Sequence, residues 1–195
     1  MRTTLIAAAM LLTAGALMCN AADPKSVGSP APAFSLPDQN GRPVSLADFR
    51  GKIVVLQWWN EACPYIQRHA KAGTVEAMAQ KYKGNDVVVL AINSTAGNTP
   101  ESNLKAVGQF KLSYPILSDA AGQVGKSYGA KTTPHMFVID KSGTIAYNGA
   151  VDNDPDGNKA DRVNYVSQAI DELLAGKSLT TPESKPYGCS VKYAK

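Results

Sequence analysis

Cys63 and Cys189, together with His69 and His135, are the side chains of this sequence whose types and placement could do chemistry. Cys63 lies just past an almost unbroken apolar run, Ile53 to Trp58, and at the start of a stretch that reads as helix from about Pro64 to Tyr82. Open α/β sheets place reactive groups at that junction, beyond the C-terminal end of a strand. The free amides and dipole of a helix N-terminus favour a thiolate, so Cys63 should ionise below the ~8.5 of a free thiol and act as a nucleophile. The competing reading is a small buried hydrophobe, which free cysteines often are.

Cys189 gains weight from what precedes the fold. Arg2 leads into an apolar run, Leu5 to Ala16, and Cys19-Asn20-Ala21-Ala22 follows before the chain turns polar at Asp23. That is the pattern of a secretory signal peptide over residues 1–21, cleaved near Ala21 to release a periplasmic or secreted protein. The run falls short of the ~20 apolar residues of a membrane span, so no stable membrane insertion is expected after cleavage. A lipoprotein processed at Cys19 is the alternative, and Met18 stands where such processing wants a small residue. Cleavage leaves Cys63 and Cys189, an even pair in a compartment where disulfides persist.

The elements that must position these residues follow from periodicity and punctuation. Phe34-Leu36 and Pro43-Val44 flank the turn Asp38-Gln39-Asn40-Gly41 and read as an N-terminal β-hairpin. Ile53–Trp58 and Val87–Ile92 have the apolar continuity of strands buried on both faces, with the Pro64–Tyr82 helix, bent at Gly73, between them. Thr99-Pro100-Glu101 opens another helix that ends before Tyr114-Pro115. A short strand at Ile116-Leu117, a helix around Gln123–Tyr128, and an antiparallel pair, Met136–Ile139 and Thr144–Tyr147, come next. Val163, Val166, Ile170, Leu173 and Leu174 keep helical spacing up to Gly176, and 178–195 is left as a polar tail. Together these make one α/β domain, a central mixed sheet flanked by helices. A flavodoxin-like sheet would need parallel strands throughout, against the turn at Lys141-Ser142-Gly143.

The composition adds exclusions. Twenty Lys+Arg face 16 Asp+Glu, and the formal charge of +4 is scattered without a basic run, so no nucleic-acid partner is expected.

Trp59-x-x-x-Cys63-Pro64 and the distant Thr133-Pro134 resemble the active-site helix and cis-proline loop of the thioredoxin superfamily, and more closely the exported redoxins of the alkyl hydroperoxide reductase/thiol-specific antioxidant type. The resemblance covers nearly all of residues 22–195: Pro30-Ala31-Pro32-Ala33-Phe34-Ser35-Leu36, Cys63-Pro64-Tyr65, the segment from Thr132 to Asp140, and the tail from Pro186 to Tyr193. It implies a thioredoxin-like fold, a cis Pro134 opposite Cys63, and substrate contacts at Trp59, Pro64, Thr133 and Pro134. It implies no cofactor and no resident metal. In this fold the backbone beside the proline pairs with an incoming peptide. Alternation along the following strand turns His135 away from the cysteine as a structural histidine. His69, on another face of the helix, reads as a surface or packing residue.

Three positions depart from the family's patterns. Ile66 stands where thioredoxin-like oxidoreductases carry a second cysteine, Asn60 where peroxiredoxins have Thr or Ser, and Gln57 where thioredoxins bury an acid. What remains is Cys63 with Cys189. The tail from Lys177 to Cys189 can extend ~40 Å, about the diameter of a domain this size, so the two can meet. In one reading Cys63 attacks a protein or small-molecule disulfide, or an oxidant such as peroxide, Cys189 resolves the intermediate, and an external thiol reduces the pair. In the other the pair is a permanent staple, worth up to ~5 kcal/mol on chain entropy. A copper-handling protein and a non-catalytic binding module of the same fold are further alternatives. Asp152-Asn153-Asp154-Pro155-Asp156-Gly157 matches the first half of an EF-hand loop but has Val163 where a ligating Glu belongs, and reads as a solvated acidic turn.

Overall fold

A computed structural model describes residues 26–195; the leader expected over 1–21, with Cys19, lies outside them. Among the described residues no helix is long and apolar enough to cross a membrane.

The hairpin forms as expected, from β1 (Ser35–Pro37) and β2 (Pro43–Ser45) in antiparallel register. Its turn is held by Asp38, whose carboxylate accepts the amides of Asn40 and Arg42 at 2.7 and 2.9 Å. The apolar runs become β3 (Ile53–Trp58) and β4 (Val87–Asn93), paired in parallel, with β5 (Ile116–Ser118) parallel on the far side of β4. The helix between β3 and β4 is broken rather than bent. Gly73, at φ 63°, separates α1 (Pro64–Lys71) from α2 (Thr74–Lys81). α3 (Pro100–Phe110) carries the expected hydroxyl cap, Thr99 accepting from the Ser102 amide, and α4 spans Gln123–Tyr128.

Two-residue β6 (Thr132–Thr133) leads into β7 (Met136–Ile139), which runs antiparallel to β3 and so excludes the all-parallel alternative. β8 (Ile145–Gly149) completes a mixed sheet of order β5-β4-β3-β7-β8. It begins one residue later than expected because Asp140 accepts the Thr144 amide within the turn. α5 runs Tyr165–Leu174. Val163 therefore precedes this helix and is 41% exposed, because the Asn164 side chain accepts the Ser167 amide and sets the start.

Alternation along β3 divides the interior. Ile53 and Val55 face one apolar cluster with residues of α1, α2, α3 and α5, while Val54, Leu56 and Trp58 face a second with Phe34, Tyr128 and Phe137. Both sheet faces are thus dry, which is why β3 reads as an almost unbroken apolar run.

The polar tail over 178–195 is bound to the domain. Ser184 bridges to Tyr147 and to the Ala150 amide. Its later residues form β9 (Cys189–Ser190), antiparallel to β6 with Thr133 opposite Cys189. Beyond β9, the Val191 amide donates to Lys131, the Ala96 amide to Lys192, and the Tyr193 hydroxyl to Ala130. The Tyr193 ring lies where Gly122 and Gly125 leave room; a Cβ at Gly125 would stand 2.7 Å from it.

Candidate active site at the docked tail

Cys63 is placed by the loop that follows β3. Asn60 shapes that loop, its carboxamide oxygen accepting the Ala62 amide at 2.8 Å and its carbonyl accepting the Cys63 amide at 3.1 Å. The Asn that departs from the peroxiredoxin pattern is therefore a turn former, 7% exposed. Cys63 is the N-cap of α1 with Pro64 at the first helical position, where a missing N–H costs nothing.

The Thr133-Pro134 peptide is cis, and its loop lies against Cys63 as the resemblance implied: Cys63 Sγ is 2.9 Å from the Thr133 carbonyl oxygen. The tail brings Cys189 to the same point. The two cysteines are free, and their Sγ atoms are 2.8 Å apart. A disulfide of about 2.05 Å would need less than ~1 Å of movement.

The two thiols differ in acidity. Burial pushes Cys63 upward, but the Cys189 thiol, the Thr133 hydroxyl and the amides of Ile66 and Cys189 outweigh it and hold Cys63 below an ordinary thiol. Burial, and then the Cys63 sulfur beside it, push Cys189 up to about 11. The arrangement suits one thiolate, on Cys63, accepting from a protonated neighbour.

Exposure runs the other way. Cys63 is 2% exposed within the core cluster that contains Trp59 and Ile66, whereas Cys189 packs against that cluster from outside and stays partly exposed. Trp59 corrects an expectation. It is 1% exposed, edge-on to Phe110, with no hydrogen-bond partner for its indole Nε1 among the described residues. Trp58 is equally buried and donates to Ser94. Alternation does send the two indoles to opposite faces, but both faces are covered, so neither reaches the surface.

The histidines serve structure. His135 accepts the Lys131 amide at Nδ1 and donates from Nε2 to Asn148, and burial lowers its pKa to about 4. It is the inward structural histidine expected. His69 is buried and lies 2.9 Å from the Tyr187 hydroxyl, which donates to the Asp152 carboxylate. Its Nε2 also lies 3.4 Å from the Arg68 guanidinium, and its Nδ1 lies 3.3 Å from the Thr74 hydroxyl.

Pro155, Asp156 and Gly157 are exposed, but Asp152 and Asp154 are buried, which corrects the reading of a solvated acidic turn at those two residues. Asp154 accepts the amides of Gly157 and Asn158. Asp152 takes the tail tyrosine and the Asp154 amide, with Arg162 at 3.8 Å from its other oxygen. Among the described residues no three His, Cys, Asp or Glu side chains converge as a metal site.

Sequence reasoning missed Tyr187 and Gly188. Gly188, at φ 131°, lies so close to the Thr133 carbonyl that a Cβ would overlap it. Their signals were a place next to a cysteine and within the tail segment that carries the family resemblance, neither of which assigned them a role.

A mixed sheet with a cysteine capping the helix after its central strand and a cis-proline loop across from it defines the thioredoxin-like class of proteins. Within that class the chain belongs to the Redoxin family, whose sequence pattern matches residues 26–166. It is 36% identical over 121 residues to the thiol-disulfide oxidoreductase ResA of Geobacillus thermodenitrificans, covering 62% of this chain and 67% of that one. It is 30% identical to the Bacillus thuringiensis ResA, of which the match spans 66%. Peroxiredoxin Q of Sedum lineare is 33% identical over 126 residues, with 60% of this chain and 65% of that one covered. Among solved structures, a hypothetical protein of Sinorhizobium meliloti superposes with TM-score 0.79 at 30% identity over 87% of this chain and 95% of that one. A putative thiol:disulfide interchange protein DsbE of Chlorobium tepidum gives TM-score 0.57 at 28% identity over 63% and 84%.

Proposed function

We propose that this chain is an exported thiol-disulfide oxidoreductase in which Cys63 is the nucleophile and Cys189 the resolving cysteine. The observation that carries the reading is the 2.8 Å approach of two free sulfurs whose acidities are split, Cys63 lowered and Cys189 raised. A staple has no need of that split. The ResA and DsbE relatives support thiols or disulfides as its partners.

In the cycle, the Cys63 thiolate attacks one sulfur of a substrate disulfide, and the other sulfur leaves as a thiolate. Cys189 gives up its proton and attacks the Cys63 sulfur, releasing the second substrate thiolate and closing the Cys63–Cys189 bond. An external thiol donor then reduces the pair. Since Cys63 is 2% exposed, substrate attack requires the tail to lift or the loop to open.

A second reading has its own support. β9 already fills the β6 edge beside Pro134, where an incoming peptide would add as a strand, and this favours small oxidants over polypeptides. With a peroxide, Cys63 would become a sulfenic acid and Cys189 would displace water from it.

Turnover assays with excess small thiol, run separately on a peptide disulfide and on hydrogen peroxide, test both. Wild type should turn over at least one of them, Cys63→Ser neither, and Cys189→Ser should accumulate a substrate adduct or a sulfenic acid on Cys63. Undiminished turnover by Cys63→Ser would end the proposal.

A further inference from the structure

Resting on the reading that Cys63 and Cys189 cycle, we propose that the reducing thiol attacks Cys189 rather than Cys63, so that the donor's mixed disulfide forms on the tail and Cys63 departs as the thiolate.

Thiol-disulfide exchange depends on which sulfur the incoming thiolate can reach, and it proceeds through a nearly linear array of three sulfurs. The 2.8 Å separation in the free pair means that closing the bond leaves the surrounding walls essentially where they stand. An attacker in line with the bond at Cys63 would have to arrive on the side away from the tail. There Cys63 is packed into the core cluster with Trp59 and Ile66. An attacker in line at Cys189 arrives from outside, where this residue is partly exposed.

With the disulfide closed, Cys189 is reachable without the tail lifting. Two residues before it, the Tyr187 hydroxyl is gripped by Asp152 and His69; just after it, Val191, Lys192 and Tyr193 are each hydrogen-bonded to the domain. Cys189 is the partly exposed member of the pair and Cys63 the buried one. The leaving group agrees with this direction. A thiol of lower pKa leaves faster, and Cys63 is the one held low, whereas Cys189 would leave as the poorer thiolate.

The step balances as ordinary exchange. The donor thiolate bonds to Cys189 Sγ, the Cys63–Cys189 bond breaks, and its electron pair departs on Cys63 Sγ. A second donor thiolate then attacks the donor sulfur of the mixed disulfide. That releases the oxidised donor and leaves Cys189 to take up a proton. Two donor thiols are oxidised and one protein disulfide is reduced.

The test uses the full chain with Cys19→Ser, oxidised to the Cys63–Cys189 disulfide and mixed with substoichiometric glutathione. Samples are acid-quenched at the shortest accessible times, the free thiols are alkylated, and the peptides are mapped by mass. The proposal expects glutathione on Cys189 and the alkyl group on Cys63, at least tenfold over the reverse. Because the adduct could later migrate to Cys63, the earliest time points decide. Glutathione first on Cys63, or equally on both, overturns the proposal while leaving the cycling pair intact. A disulfide that does not form, or that glutathione does not open, overturns the proposal and the cycling reading together.

Discussion

Gly188 faces the Thr133 carbonyl so closely, at φ 131°, that a side chain at position 188 would stand 2.8 Å from the Thr133 carbonyl carbon. This contact lets the tail descend onto the cis-proline loop one residue before Cys189, and it makes the docking of the whole tail testable.

Gly188→Ala should undock the tail. The added Cβ meets backbone on both sides of the Thr133-Pro134 bond, in a conformation that costs a residue with a Cβ about 1–3 kcal/mol. Cys63 should then alkylate faster by at least an order of magnitude and form its bond to Cys189 more slowly. Unchanged alkylation kinetics would show that the contact does not hold the tail.

Tyr187→Phe should loosen the same strap from the other side. Its hydroxyl is one of two donors to the buried Asp152 Oδ1, so removal leaves that carboxylate under-satisfied at a cost of about 1–3 kcal/mol. Urea denaturation would measure the loss. A variant as stable as wild type would contradict the assigned role of the His69–Tyr187–Asp152 chain.

Much of the scaffold is legible in the sequence. β3 and β4 sit between two dry faces and so are almost continuously apolar, and the cap at Thr99 and the irregularity at Gly73 are local events written in local residues. Cys63 is equally readable, since a strand end followed by Cys-Pro and a helix needs no distant partner. What escaped depends on distance. β6 and β9 are two residues each, too short for any periodicity, and their pairing joins positions more than fifty residues apart. Asp152 read as solvated because its partner Tyr187 arrives from the tail. Trp59 read as surface because nothing local reveals that α3 brings Phe110 over it.

The acidities predict a pH dependence with a definite order. Cys63 lies below an ordinary thiol and Cys189 at about 11, so mass-mapped alkylation should label Cys63 at lower pH than an ordinary thiol and Cys189 only at strongly alkaline pH. Cys189→Ala removes a donor to the Cys63 sulfur and should raise the Cys63 midpoint. The reverse order of ionisation would contradict the assignment of the nucleophile.

His135 gives a stability effect of known sign. Burial lowers its pKa from 6.5 to about 4, so the unfolded chain binds more protons than the folded one between those values. Stability is therefore full above about 6.5 and declines as pH falls toward 4, with a share from this group of at most about 3 kcal/mol. His135→Gln should show a smaller loss than wild type between pH 7 and 4.5. Equal losses would remove His135 from the account.

The central claim is that Cys63 and Cys189 form a bond that opens and closes in use. Mass-resolved thiol trapping of the purified protein across graded thiol/disulfide buffers tests it most directly. The account predicts a reversible Cys63–Cys189 disulfide with a potential above about −300 mV, within reach of cellular thiol donors. A bond that stays closed below that potential, or the absence of any bond between the two, would contradict it.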